Sequence, residues 1–222
     1  MIITIDGPVA TGKSTVARWV AERMGFIFYD TGAMYRCLTY DLIQKNIDLD
    51  DKKAIKNALE DFQYEVAVHF GDKHYYVNGQ DVTSEIRKEA VTSQVSKVSA
   101  IDIVREKLVA IQRKLGDGVN AVFEGRDMGS FVFPDAEVKI FLTGRPEVRA
   151  KRRFDELRSK FPADTINLTI EDALKEIQRR DTYDSTREVS PLKPADDAIF
   201  VDTSDLTLDE VVDKILDISQ NF

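Results

Sequence analysis

Gly7-Pro8-Val9-Ala10-Thr11-Gly12-Lys13-Ser14 fits the pattern G-x-x-x-x-G-K-[ST], with the apolar run Ile2 to Ile5 before it and a helical pattern, Ser14 to Met24, behind it. A buried strand that turns through small residues into a helix forms a phosphate cradle. Successive backbone N–H groups can turn inward around a β-phosphate, and Lys13 adds a mobile point charge for the β and γ oxygens. The Ser14 hydroxyl is suited to Mg²⁺ held through the nucleotide. Gly7 through Ser14, with Thr15 after them, are therefore candidate residues for binding ATP or GTP.

Four further apolar runs read as strands buried on both faces: Phe26 to Tyr29, Ala121 to Phe123, Val138 to Leu142 and Ala198 to Val201. Helical patterns lie among them at Gly32 to Lys45, Ser84 to Leu115 (expected to break once), Pro146 to Lys160, Ile170 to Arg180 and Leu208 to Ile218. This alternation predicts an α/β fold with a parallel sheet covered by helices, whose ligands sit at the carboxyl ends of the strands. Residues 62 to 82 break the rhythm. They alternate apolar and polar around Gly71-Asp72 and Asn78-Gly79 turn signals, which predicts antiparallel hairpins inside a small insertion spanning 62–95. The charge run Asp48 to Lys53 reads as a solvated loop and helix start.

The 222 residues suit one domain with elaborations, and 43% hydrophobic content suffices for a core. Cys37 is the single cysteine, which excludes an intrachain disulfide and reads as a small core residue. The opening MIITIDG lacks a basic leader region and no stretch is apolar enough to span a bilayer, so a cytoplasmic protein is expected. A net charge of -8 argues against a nucleic-acid polymer as partner. His69 and His74 have no neighbouring ligand pattern that would predict a metal site.

Within this acidic chain, Arg36, Arg126, Arg149, Arg152, Arg153, Arg180 and Arg187 follow strands or lie on the helices after them. Transfer between two anionic nucleotides needs cations on both substrates and on the migrating group, and the planar fork of arginine suits phosphate. No guanine-reading N-K-x-D stretch is present. A kinase of a small acceptor fits these features, and a nucleotide-binding switch is the competing class. The dense positive charge from Arg145 to Lys160 predicts a segment that repels itself until phosphates arrive.

Asp30-Thr31-Gly32-Ala33-Met34-Tyr35-Arg36, Glu124-Gly125-Arg126-Asp127-Met128-Gly129, Arg149-Ala150-Lys151-Arg152-Arg153 and Arg180-Asp181-Thr182-Tyr183-Asp184-Ser185-Thr186-Arg187 together resemble the bacterial cytidylate kinases, a family of nucleoside monophosphate kinases. The resemblance runs along nearly the whole chain. It implies a single P-loop kinase domain over 1–222, a doubly wound sheet of five parallel strands in the order 2-3-1-4-5, insertion 62–95 as the monophosphate-binding region, and a lid over 150–165. It implies phosphorylation of CMP and dCMP by ATP with Mg²⁺, in a monomer.

The resemblance also implies roles. Asp30, Thr31, Tyr35 and Arg36 would lie near the acceptor, with Arg36 on its phosphate. Ser96 and Arg105 would complete the base pocket beside Gly125, Arg126 and Asp127. A carboxylate at Asp127 is the sensible reader of the cytosine amino group, because that group only donates. Arg149 would pack on adenine and Arg153 reach the ATP phosphates, leaving Lys151 and Arg152 facing solvent. Arg180 and Arg187 would clamp the transferring group together with Lys13, while Asp184 and Arg180 hold the acceptor sugar.

Overall fold

The computed structural model describes residues 1–69, 72–163 and 165–222. In chain order its first elements are β1 (Ile2–Asp6), α1 (Lys13–Met24), β2 (Ile27–Asp30), α2 (Thr31–Gln44), α3 (Lys52–Asp61), β3 (Tyr64–His69), β4 (Asp72–Val77) and β5 (Gln80–Asp81). A 3-10 turn (Glu85–Arg87), two short helices, α4 (Glu89–Thr92) and α5 (Val95–Val98), and the longer α6 (Asp102–Gly116) follow. The chain ends with β6 (Ala121–Gly125), a π-type turn (Met128–Val132), β7 (Val138–Thr143), α7 (Pro146–Lys160), α8 (Ile170–Thr186), β8 (Ile199–Asp202) and α9 (Leu208–Ser219). These elements divide into two compact units, Met1–Tyr29 with Gly116–Phe222, and Asp30–Leu115.

The first unit is built on a five-stranded sheet in the order β2-β6-β1-β7-β8. Counting only its own strands, this is the expected 2-3-1-4-5. β1 runs parallel to β6 on one side, with Ile2 opposite Ala121, and to β7 on the other, with Ile3 opposite Val138. From this central strand the chain crosses to the edge strand β2, returns to β6, and then passes to β7 and β8 on the other side, so the loop after β1 leaves the sheet at a topological switch point.

Alternation of side chains across the pleat then fills both faces. Ile3, Ile5, Val122, Ile140, Leu142 and Val201 pack against Val16 and Val20 of α1 and Val212 and Ile215 of α9. Phe123 points the other way, its ring 4.7 Å from Tyr29 and 4.4 Å from Phe133. Such fully buried side chains each contribute about 1.5–3 kcal/mol, which makes the sheet a rigid platform for the loops at its edge.

In the second unit α2 is buried on two sides. Met34, Tyr35, Leu38 and Leu42 pack with Ile55, Leu59, Val98 and Leu108, while Ala33 and Cys37 pack with Tyr75, Val77, Val82 and Ile86. Burial pushes the Cys37 thiol up to about 12, which suits the core role read from sequence. β3, β4 and β5 form the expected antiparallel sheet, with Tyr64 opposite Val77 and Val77 opposite Gln80. Asn78 and Gly79 both take positive φ, 50° and 80°, as a two-residue primed turn requires. Gly71 of the other expected turn lies outside the described residues. Asp51 caps α3 by accepting from the N–H groups of Lys53 and Ala54, so the charge run is a loop and helix start as expected.

Two helical expectations differ from the structure. The pattern from Ser84 to Leu115 breaks three times instead of once, into the 3-10 turn, α4, α5 and α6. Ser93 and Ser99 lie at the later breaks and donate their hydroxyls to the Glu89 and Ser96 carbonyls, a local alternative to the helical ladder. α8, expected to stop at Arg180, continues to Thr186. Its last turn is held by the Ser185 and Thr186 hydroxyls, which donate to the Asp181 and Thr182 carbonyls. Its start is a capping box between Thr169 and Asp172. Among the described residues no helix is long and apolar enough to cross a membrane.

Candidate active site

Gly7 leaves β1 at φ 149°, and a Cβ there would stand 2.2 Å from the Leu142 carbonyl oxygen on β7. Only glycine fits. The loop then enters α1 through Gly12 at φ 89°, and Lys13 is the first helical residue. Lys13 is buried, and its Nζ donates to the Pro8 carbonyl at 2.7 Å, so the ammonium lies back across the loop that precedes it. Burial, then the nearby Arg126, lower its pKa to about 7 against the opposing pull of Glu124, Asp6 and Asp181. Ser14 donates its hydroxyl to Glu124 Oε1 at 2.8 Å, linking the start of α1 to the end of β6.

Beyond β6 the backbone turns over β1. Asp6 accepts from the N–H groups of Met128 at 2.9 Å and Gly129 at 2.8 Å. Gly129 packs so closely that a Cβ would meet Thr4 Oγ1 at 2.8 Å. Burial raises the Asp6 pKa to about 7, the two N–H bonds work against that shift, and the neighbouring Asp127 adds to it.

A group of arginines and carboxylates surrounds this edge of the sheet. Arg126 donates from Nε to Asp184 Oδ2 at 3.0 Å and from Nη1 to the Gly125 carbonyl at 3.2 Å. Arg187 Nη2 stands 3.5 Å from Asp127 Oδ1, with both side chains buried, and its Nε donates to the Ser190 carbonyl. Arg180 sits one helical turn before Asp184. Its Nε is buried without a hydrogen-bond acceptor among the described residues. Burial and then the Arg126 charge hold the Arg180 pKa below its usual value. Two partly buried guanidinium groups that repel one another suit a bound anion.

The second unit gathers the other candidates around α2. Asp30 caps this helix through the Ala33 N–H at 2.8 Å and accepts from Arg87 Nη2 at 3.1 Å. Thr31 is buried in the first turn. Arg36 donates from Nη1 to the Ile86 carbonyl at 3.0 Å and the Thr92 hydroxyl at 2.8 Å. Arg105 is 2% exposed, lies over the Tyr35 ring at 5.7 Å and donates to the Ser99 carbonyl; Ser99 in turn donates to the Ser96 carbonyl. Tyr35, Ser96 and Arg105 thus share one corner of the unit.

The model of the family described as "Cytidylate kinase" matches residues 3–221. The chain belongs to this family. A cytidylate kinase of Protochlamydia amoebophila is 63% identical over 217 residues, covering 98% of this chain and 95% of that protein. A cytidylate kinase of Geobacillus is 48% identical, covering 97% of this chain and 95% of that one. Among solved structures, a shikimate kinase from Bacteroides thetaiotaomicron superposes with a TM-score of 0.50 at 12% identity, covering 99% of this chain and 98% of that one. At that identity the likeness shows a shared fold alone.

Within this cytidylate kinase chain several side chains have partners that sequence patterns did not indicate. Arg149 is buried; it donates to the Gly144 carbonyl at 3.0 Å, the Val9 carbonyl at 2.9 Å and Asp181 Oδ2 at 2.6 Å. Arg153 reaches Glu156 at 3.3 Å and Glu176 at 3.2 Å. Arg152, expected to face solvent, donates instead to the Thr203 hydroxyl at 2.8 Å and the Thr203 carbonyl at 2.6 Å; Lys151 is exposed as expected. The expected self-repulsion from Arg145 to Lys160 is largely cancelled. Asp205, Asp155 and Glu156 pair with Arg145, Lys151 and Lys160.

Asp6, Arg87, Glu124 and Asp181 were not singled out as site residues from the sequence. Asp6 and Glu124 carried a usable signal, because each is an acid closing an otherwise apolar strand. Arg87 carried none, and Asp181, though it stands within the Arg180 to Arg187 run, acts through Val9 and Arg149, which are distant in the chain.

Proposed function

We propose that the chain transfers the γ-phosphoryl group of ATP to CMP and dCMP, releasing ADP with CDP or dCDP. The observation that carries this reading is the pair of partly buried arginines, Arg126 and Arg180, sharing Asp184 beside the phosphate loop, with Lys13 within electrostatic reach of Arg126. Asp184 lies between the two guanidinium groups, with Glu124 and Asp181 also acting on Arg126 and Glu176 on Arg180. Two arginines placed beside Lys13 suit a phosphoryl group in flight.

ATP would lie along the Gly7 to Thr15 loop, where backbone N–H groups hold the β-phosphate and Lys13 exchanges its bond to the Pro8 carbonyl for β and γ oxygens. Arg149 and Arg153 serve the donor from α7, Arg149 against adenine and Arg153 on its phosphates. Arg180 and Arg187 flank the migrating group. Asp30, Thr31, Tyr35 and Arg36 bind the acceptor, with Arg36 on its phosphate. Ser96 and Arg105 hold the base with Gly125, Arg126 and Asp127, and Asp184 with Arg180 holds the sugar. An acceptor phosphate is already nucleophilic, so positioning and charge can carry the reaction without a general base.

Mg²⁺ fits the oxygen donors present, since the Ser14 hydroxyl and Glu124 carboxylate lie 2.8 Å apart. An ion held there would take most of its ligands from phosphate and water. Ser14 would ligate it, and the bound ion would supply positive charge to the phosphates.

The same reading makes residues 1–222 a single kinase domain in which 62–95 is the monophosphate-binding insertion and 150–165 the lid. It also makes the protein a cytoplasmic monomer working on small nucleotides, with no nucleic-acid polymer or membrane as partner. Measuring ADP release across CMP, dCMP, UMP, AMP and shikimate tests the proposal. Release that responds first to CMP and dCMP is expected. Release indifferent to both cytosine nucleotides refutes it.

A further inference from the structure

Val9, in the middle of the phosphate loop, is held on three sides by α7 and α8. Its N–H donates to Asp181 Oδ1 at 3.0 Å. Its carbonyl accepts from Arg149 Nη1 at 2.9 Å, and that same nitrogen donates to Asp181 Oδ2 at 2.6 Å. Its side chain packs with Ala150 of α7 and Ile177 of α8. One carboxylate and one guanidinium therefore close a ring around the backbone of a single residue, spanning the two peptide units that meet at Val9. Arg149 is fixed in turn by the Gly144 carbonyl at 3.0 Å.

We infer that Asp181 is a positioning residue for ATP: with Arg149 it sets the conformation of the phosphate loop through the backbone of Val9. The physical grounds are direction and burial. An N–H turned toward Asp181 is turned away from a phosphate, so Val9 serves as an anchor while its neighbours are left to donate. Next to it, Ala10 holds the left-handed conformation at φ 61°, which a residue bearing a Cβ adopts at a cost. The ring around Val9 supplies a tertiary constraint that can sustain that conformation. Without Asp181, the Val9 N–H would be buried without a partner and the loop free to turn it elsewhere.

This inference rests on the loop being the ATP site, and its test uses ATP binding, which needs no acceptor. Calorimetric titration of MgATP into the full chain compares wild type with Asp181→Ala, Asp181→Asn, Arg149→Ala and the double variant Arg149→Ala/Asp181→Ala, each followed by thermal unfolding. Losing a hydrogen bond to a charged partner corresponds to roughly ten- to 150-fold weaker binding for Asp181→Ala. Asp181→Asn keeps an acceptor for Val9 but faces Arg149 with an NH₂ group, so a smaller loss is expected, and it replaces the alanine variant should that fail to fold. Because the pair acts as one ring, the double variant should bind no more weakly than the weaker single variant. The KM for CMP should stay within about twofold.

A lowered melting temperature with unchanged MgATP affinity, or additive losses in the double variant, overturns the inference and leaves the kinase reading standing. Failure of the wild type to bind MgATP overturns both.

Discussion

Arg187 Nη2 lies 3.5 Å from Asp127 Oδ1, and the two side chains are each only 4% exposed. The sequence reading assigned them to different tasks, Asp127 to the cytosine amino group and Arg187 to the transferring phosphoryl group. Under that assignment, base recognition and phosphoryl stabilisation would share an electrostatic element. A substitution at either position is felt by the other.

The pairing sharpens the test of base recognition. With UMP a uracil carbonyl replaces the amino donor, so two acceptors would meet at Asp127, a mismatch of about 1–3 kcal/mol or roughly five- to 150-fold in kcat/KM. Asp127→Asn can turn an NH₂ group toward that carbonyl. The expected outcome is a narrowed CMP to UMP ratio, chiefly through lost CMP activity, measured as kcat/KM for both substrates. An equal fall for both would assign Asp127 to holding Arg187 alone.

Lys13→Ala is expected to lower kcat by about a hundredfold or more while the folded state persists, because a cation aimed at developing charge is worth most in the transition state. Initial rates, with circular dichroism of the same samples, check this. Turnover near the wild-type value would remove Lys13 from the phosphate site.

Asp6 gives a pH dependence of stability with a definite sign. Its folded-state pKa is raised by burial from 3.8 to about 7, so between these values the native state retains a proton that the unfolded chain releases. Its contribution is complete below the lower value and falls as pH rises through the window, by at most about 1.4 kcal/mol per pH unit. Urea unfolding of wild type and Asp6→Asn at about pH 5 and about pH 7 should show the wild type losing stability relative to the variant at the higher pH. A constant difference would contradict a raised Asp6 pKa.

Arg105→Lys should raise the KM for CMP by roughly tenfold with the KM for ATP little changed, because an ammonium can neither lie flat on Tyr35 nor keep the guanidinium geometry toward Ser99. Steady-state kinetics with each substrate varied in turn separates this from a loss of folded protein, which would lower kcat alone.

The residues that bend backbone or close strands were legible in order along the chain. Gly7 and Gly12, the small residues between them, the apolar strand runs and the Asn78-Gly79 turn are local signals, since each is dictated by what a single residue or its neighbours can adopt. The helical stretch from Ser84 to Leu115 was harder. Its serine hydroxyls compete with the backbone ladder, and the outcome depends on packing around Ile86, Val95 and Val98. Arg152 departs from its expected solvent-facing position for a related reason: its acceptor, Thr203, lies 51 positions away.

The sequence by itself determined a parallel α/β sheet, the phosphate loop after its first strand and the arginine-rich chemistry of phosphate transfer, because periodicity, glycine spacing and side-chain type act over short range. Tertiary structure alone decided which charges neutralise one another. Asp181 came to Val9 and Arg149, Asp184 to Arg126, and Asp127 to Arg187, across separations of 172, 32, 58 and 60 residues that no local pattern spans. Folding removes these groups from water together, and a buried charge is stable only where its partner is delivered to the same place.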